Sequence, residues 1–135
     1  MKNIFLDTNI ILDFLDKNRP LHLKSKELIA KLTMEDYGIF MSEDMLSTIF
    51  YISKDKEKVL LFFETILSKW SVVPYGIALI SEAITKCKTH KGQDLEDTLQ
   101  CLCSREQDCI YIVSSDKNFV DCGIEVVNYD GILNN

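Results

Sequence analysis

Residues 109–113, Cys-Ile-Tyr-Ile-Val, decide the fold class. The run is nearly all apolar and shows no alternation of inside and outside residues. It reads as a strand covered on both faces, which is the signature of a parallel sheet rather than of a half-wetted antiparallel one. Immediately before it, residues 94–106 place Leu95, Leu99 and Leu102 at helical spacing. Immediately after it comes the polar stretch Ser114-Ser115-Asp116-Lys117-Asn118. A helix feeding a buried strand that ends in a polar loop is one half of a parallel β-α-β repeat.

The rest of the chain repeats this alternation. Residues 3–6, Asn-Ile-Phe-Leu, are a short strand, and Ile11, Leu12 and Leu15 place a helix over 8–16. After Pro20, Leu23, Leu28, Ile29 and Leu32 mark a second helix that stops near Gly38. Residues 38–41, Gly-Ile-Phe-Met, are a strand, and Ser42 is expected to cap the next helix, with Glu43 and Asp44 in its first turn. Residues 56–69 are amphipathic, 70–73 are a strand before Pro74, 77–88 a helix, 89–93 a polar loop and 124–127 a last strand. Five short strands separated by helices predict an α/β fold, a three-layer sandwich with a parallel sheet between helices.

Length and charge narrow the function. A chain of 135 residues is one domain's worth, taken as 1–135. At 47% hydrophobic and 27% charged residues it can fold around an ordinary core without a disulfide or metal staple. No apolar run is long enough to cross a bilayer and no secretory signal opens the chain, so the cytoplasm is the expected compartment. A net charge of −6 excludes a polybasic protein that coats nucleic acid by bulk charge. It does not exclude a nucleic-acid enzyme whose carboxylates form a metal site. The five cysteines, Cys87, Cys101, Cys103, Cys109 and Cys122, are odd in number and contain no C-x-x-C pair; all are expected as reduced thiols. His22 and His90 lie far apart, and no cluster has zinc-ligand spacing.

In an open parallel sheet, ligands bind beyond the carboxyl ends of the strands. Asp7 directly follows the first strand, and Asp116 follows residue 113 by three. Asp94 and Asp97 begin the helix that runs back across the sheet into 109–113, so they belong to the same edge. Each acid has a plain structural role available, as helix cap, first-turn acid or turn residue. Those roles do not account for convergence from three segments. Clustered carboxylates repel one another unless positive charge sits among them. Donors that are all oxygen select Mg²⁺, Mn²⁺ or Ca²⁺ over zinc, and such an ion suits phosphodiester hydrolysis.

These residues carry a family likeness. The chain resembles a PIN-domain protein over essentially its whole length, on Ile4-Phe5-Leu6-Asp7-Thr8-Asn9-Ile10, Asp94-Leu95-Glu96-Asp97-Thr98-Leu99-Gln100, and Tyr111-Ile112-Val113-Ser114-Ser115-Asp116-Lys117-Asn118-Phe119, in that order. The resemblance implies strand order 3-2-1-4-5 and a metal-dependent ribonuclease using Mg²⁺ or Mn²⁺. It also implies kinship with the VapC-like toxins of bacterial toxin–antitoxin pairs. Asp7, Asp97 and Asp116 fall on the family's acidic positions, expected as catalytic and metal-binding; Asn9 falls on its supporting polar position and Ser114 on one usually held by Thr or Ser, and Asp94 is expected in a supporting role beside them. An RNA substrate, an antitoxin protein and a homodimer are the partners implied, with no membrane. Phe50, Tyr51 and Phe62 are candidates for such an interface, and Lys86, Lys88, Lys91 and Lys117 are candidate cations at the substrate rim.

One feature departs from the family pattern. Six residues beyond Ser42, where the family usually has Glu, stands Thr48. Asp44 lies one turn earlier on the same helix, and Asn118 replaces a common further acid. Thr48 is therefore expected in a supporting role only. It leaves open an alternative in which the domain binds RNA or protein without cutting. A haloacid-dehalogenase-type phosphatase, which also opens strand-Asp, needs a second Asp where Asn9 stands, and a receiver domain needs an Asp after its third strand, where Pro74-Tyr75 follow.

Overall fold

The computed structural model of the chain describes residues 1–134. Five strands, β1 (Asn3–Leu6), β2 (Gly38–Ser42), β3 (Ser71–Val73), β4 (Cys109–Val113) and β5 (Glu125–Val127), form one sheet in the order β3-β2-β1-β4-β5. Every neighbouring pair is parallel, with Ile4 opposite both Ile39 and Tyr111, Met41 opposite Val72, and Ile112 opposite Val126. The helices are α1 (Thr8–Leu15), α2 (His22–Met34), α3 (Asp44–Ile52), α4 (Lys56–Ile66), α5 (Ile77–Thr89), α6 (Leu95–Glu106) and α7 (Tyr129–Leu133). α5 packs on α6, which covers β4 and β2, while α1 packs on α2 and α3 and α2 on α7. The sheet is thus layered between helices, as the strand–helix alternation requires.

The centre of the sheet is β1. Ile4, Phe5 and Leu6 are completely buried, and Ile10 and Ile11 extend the same core into α1. β4 is covered on both faces only at its carboxyl half. Ile112 and Val113 are fully buried, but Ile110 is 40% exposed, so the apolar run overstated its coverage. The strand nearest the full double cover is the one that delivers Asp7.

Three local readings are corrected. Ser42 does not cap α3. It is the last residue of β2, fully buried opposite Val73, with its hydroxyl 3.0 Å from the Tyr75 hydroxyl. Sheet pairing continues one residue further than local propensity indicates, because Glu43 N–H donates to the Val73 carbonyl. The amphipathic helix 56–69 ends at Ile66. α7 has no counterpart in the sequence reading. Its five residues include Gly131 and are too few to show a helical period; the Asn128 side chain accepts from Gly131 N–H at its start, and buried Tyr129 and Ile132 dock it.

The cysteines also differ from expectation. Cys101 on α6 and Cys122 in the β4–β5 connection are joined in a disulfide, with Cα atoms 6.0 Å apart. No sequence spacing signals this pair, because the two positions meet only after β4 returns beside α6. Cys87, Cys103 and Cys109 are free, and burial pushes the Cys103 and Cys109 thiols up to about 12, so both are unreactive at neutral pH. Denatured without reductant, the protein is expected to show three titratable thiols rather than five. A cross-link spanning 21 residues constrains the unfolded chain. Cys122→Ser is therefore expected to lower unfolding free energy by about 3 kcal/mol in chemical denaturation under oxidising conditions. Five free thiols would overturn the pairing.

Candidate active site

Asp7 is positioned by the sheet itself. Its N–H donates to the Val113 carbonyl at 3.0 Å, adding one more rung between β1 and β4. The chain then turns into α1, with Asp7 in an extended conformation (φ −65°, ψ 153°) as the cap. One carboxylate oxygen accepts from Thr8 N–H at 2.7 Å, and the other accepts from the Ser114 hydroxyl at 2.8 Å. Asp7 is only 7% exposed. Burial raises its pKa, and the bonds from Ser114, Thr8 and Gln100 work against that rise.

Ser114 is the joint between two acids. Its hydroxyl donates to Asp7 and accepts from Asp116 N–H at 3.1 Å. Asp116 then accepts from Asn118 N–H at 2.9 Å, the bond that closes its turn. On the other wall, Asp94 caps α6 by accepting from Asp97 N–H at 2.9 Å. Asp97 is half-buried. Desolvation, followed by the charges of Asp94, Asp7, Asp116 and Glu96, raises its pKa from 3.8 to about 7. The helix N-terminus, which favours negative charge, does not offset this.

Asp7, Asp94, Asp97 and Asp116 line one open cleft of about 890 Å³, together with Asn9, Thr48 and Asn118. The cleft lies at the carboxyl edge of the strands. Asn9 accepts a long contact, 3.4 Å, from Arg19, whose Nε is held 2.7 Å from buried Asp13; Tyr129 donates to the other Asp13 oxygen. Thr48 faces the cleft from α3, and its hydroxyl turns back toward the Asp44 carbonyl. Among the described residues, no three Asp, Glu, His or Cys side chains stand ready-assembled at ligating separation. Asp7, Asp94 and Asp116 each give an oxygen to a local backbone N–H.

Of the rim lysines, Lys91 lines the cleft and Lys117 lines a neighbouring hollow of about 360 Å³; Lys86 and Lys88 line neither and belong to the last turn of α5. Asp44 opens α3, exposed, and does not line the cleft. Phe62 is a packing residue, with its ring against Phe14 at 5.6 Å and edge-on to Trp70 at 5.5 Å. Tyr51 is 85% exposed. Three contributors escaped the sequence reading: Glu96, Gln100 and Thr8. The spacing of Gln100, one turn beyond Glu96, was the available signal.

The PIN domain family profile matches residues 4–124. The chain belongs to the PIN-domain family. Ribonuclease VapC1 of Aquifex aeolicus (strain VF5) is 33% identical over 129 residues, covering 93% of this PIN-domain chain and 90% of that protein. The fold superimposes on VapC20 of Mycobacterium tuberculosis, a sarcin-ricin loop cleaving toxin, with TM-score 0.72 and 17% identity over 86% of this chain and 92% of that one. It also matches a DNA-bound VapBC of Salmonella typhimurium, with TM-score 0.69 and 18% identity over 96% and 99% of the two chains. The strand order β3-β2-β1-β4-β5 is the one the family resemblance implied.

The raised Asp97 carboxyl has a measurable consequence in ion-free protein. Its folded pKa lies above its unfolded value, so its stabilising contribution is complete below about pH 4 and is lost as pH rises through about 7. Wild type should therefore lose melting temperature over this window relative to Asp97→Asn, measured in chelator. A difference between the two curves that stays constant with pH would show that the Asp97 carboxyl is not raised by its burial and its acidic neighbours.

Proposed function

We propose that this PIN-domain protein is a divalent-metal-dependent endoribonuclease acting as the toxin of a toxin–antitoxin pair. The observation that supports it most is that β1, the β4–β5 connection and the start of α6 each send an aspartate into one cleft. Family membership, a relative named as a ribonuclease, and structural neighbours described as a sarcin-ricin loop cleaving toxin and as VapBC complexes point the same way.

The donors fit a hard cation. They are oxygens only, burial and then neighbouring acids raise the Asp7 and Asp97 carboxyls, and buried Thr8 Oγ1 at the cleft wall has no hydrogen-bond partner. Asp7, Asp97 and Asp116 would hold Mg²⁺ or Mn²⁺, which supplies positive charge at the scissile phosphate and makes a water acidic enough to attack phosphorus. The protein's own part is positioning. Ser114 fixes the orientation of Asp7 and the backbone of Asp116, and Asp94 sets the first turn that presents Asp97. Asn9, steadied by Arg19, and Thr48 offer neutral donors and acceptors for substrate or water. Lys91 brings a cation to the mouth of an otherwise acidic cleft, where a phosphate backbone enters. The partners that follow are RNA, an antitoxin protein and a second copy of the chain.

Thr48 favours one further reading, a PIN domain that binds without cutting. A pool of structured RNAs separates the two. Cleavage is expected with Mn²⁺ or Mg²⁺, none in excess chelator and none with Asp7→Asn. Ser114→Ala is expected to retain the fold and to lose about 10- to 100-fold in metal affinity or rate. Cleavage that survives chelator would sink the metal mechanism; intact Mn²⁺ binding without cleavage of any RNA supports the non-cutting reading.

A further inference from the structure

A second hollow adjoins the acidic cleft and carries the opposite charge. It encloses about 270 Å³ between the end of α1 and the turn from α3 to α4. Leu12 and Ile52 line both spaces, so the hollow continues the cleft. Lys17, Arg19, Lys54 and Lys58 line it, against Asp16 and Asp55. The cleft, by contrast, has one lysine, Lys91, among its described lining residues. In a chain of net charge −6, cations gathered beside a carboxylate cluster are a local feature and not a bulk one.

Helix ends account for part of this charge. α1 and α3 both finish here, and their last carbonyls favour cations. Lys58 Nζ donates to the Leu15 carbonyl at 3.0 Å, and Lys56 Nζ donates to the Phe50, Tyr51 and Ser53 carbonyls. The two acids are engaged as well. Asp16 accepts from Asn18 N–H at 2.9 Å, and Asp55 caps α4 by accepting from Lys58 N–H at 3.1 Å. Lys17 and Lys54 are left over. Both are exposed, and among the described residues neither forms an ion pair.

Arg19 is held from behind. Its Nε lies 2.7 Å from the buried carboxylate of Asp13, and Tyr129 donates to the other Asp13 oxygen at 2.7 Å. Asp13 thus fixes one edge of the guanidinium and leaves the outer N–H groups. On that side Nη2 makes only the 3.4 Å contact with Asn9, a residue of the cleft. A planar fork fixed in this way offers its outer donors to an oxyanion at little entropic cost.

We propose that this hollow is a phosphate subsite for an RNA strand running through the metal cleft, with Arg19 as the fixed fork and Lys17 and Lys54 as adaptable cations. The inference rests on the nuclease reading and deepens it. An acidic protein segment shares the charge of RNA, but continuity with the cleft through Leu12, Ile52 and Asn9 favours the strand being cut.

The test uses the full chain and two readouts. In excess chelator, the anisotropy of a fluorescein-labelled oligouridylate reports binding. With Mn²⁺, cleavage of an RNA that the protein cuts reports KM and kcat. Lys17→Gln combined with Lys54→Gln is expected to weaken oligouridylate binding and to raise KM, each about tenfold, at unchanged kcat. The slope of log affinity against log salt is expected to become shallower by about 1.4, the value for two single-strand phosphate contacts. Arg19→Lys keeps the charge and loses the fork; it is expected to raise KM severalfold, with thermal melting showing that it is folded. Lys26→Gln combined with Lys69→Gln, the same charge change away from both spaces, is expected to alter neither readout. Equal weakening in that control pair overturns the hollow in favour of bulk charge. Unchanged binding and KM in the Lys17 and Lys54 variant overturn the subsite, while cleavage by wild type leaves the nuclease reading standing. A fall in kcat at constant KM overturns the subsite as well. Labelled polyglutamate that binds wild type and not this variant, with RNA binding unchanged, overturns it in favour of an acidic protein segment. Absence of cleavage by wild type overturns the nuclease reading, and the chelator arm still decides the hollow.

Discussion

A buried carboxylate at the end of the most buried strand is the constraint around which the molecule is arranged. Ile4, Phe5 and Leu6 are wholly covered, and Asp7 follows them without a spacer. A charged group there is costly unless hydrogen bonds compensate it. The compensation comes from the first N–H of α1 and from Ser114 on the neighbouring strand's exit. That pair of bonds makes the β1 and β4 exits a single rigid edge. The turn holding Asp116 inherits its position through the same serine hydroxyl.

The opposite wall has a looser logic. α6 brings its acids through a cap and a first turn, and the helix is tied to the β4–β5 connection by the Cys101–Cys122 disulfide. Cys101 lies one turn beyond Asp97, so the cross-link fastens the helix that carries one acid to the connection that carries another. The result concentrates negative charge in a cleft with few cations. Net repulsion of this kind destabilises an empty fold and favours binding of a small, highly charged cation. Lys91 is a cation on the lining of the same cleft.

Much of the architecture is written in periodicity. Strands of three to five residues between helices, with Pro and Gly punctuation, are enough to call for a parallel sheet, and the sheet then dictates the edge where Asp7, Asp94, Asp97 and Asp116 gather. The errors fall where local chemistry competes with distant partners. Ser42 has the makings of a cap, yet pairing with Val73 extends β2 through it. Ile110 belongs to an apolar run, yet the covering helices do not reach it. α7 is too short for any pattern, and only the docking of Tyr129 and Ile132 makes it a helix.

The chain's order of residues by itself determined the layering, the edge of the sheet where the acids gather, and the oxygen-only character of their side chains, since these follow from hydrophobic period and residue type. Which acids share a cleft wall, and which cysteines meet, was decided only in three dimensions. Glu96 and Thr48 are separated by 48 positions and line one cleft, and Cys101 and Cys122, 21 apart, are joined; both follow from the packing of helices on a sheet. Spacing along a chain reports neighbours within one helix or strand, and contacts between elements depend on how those elements cross.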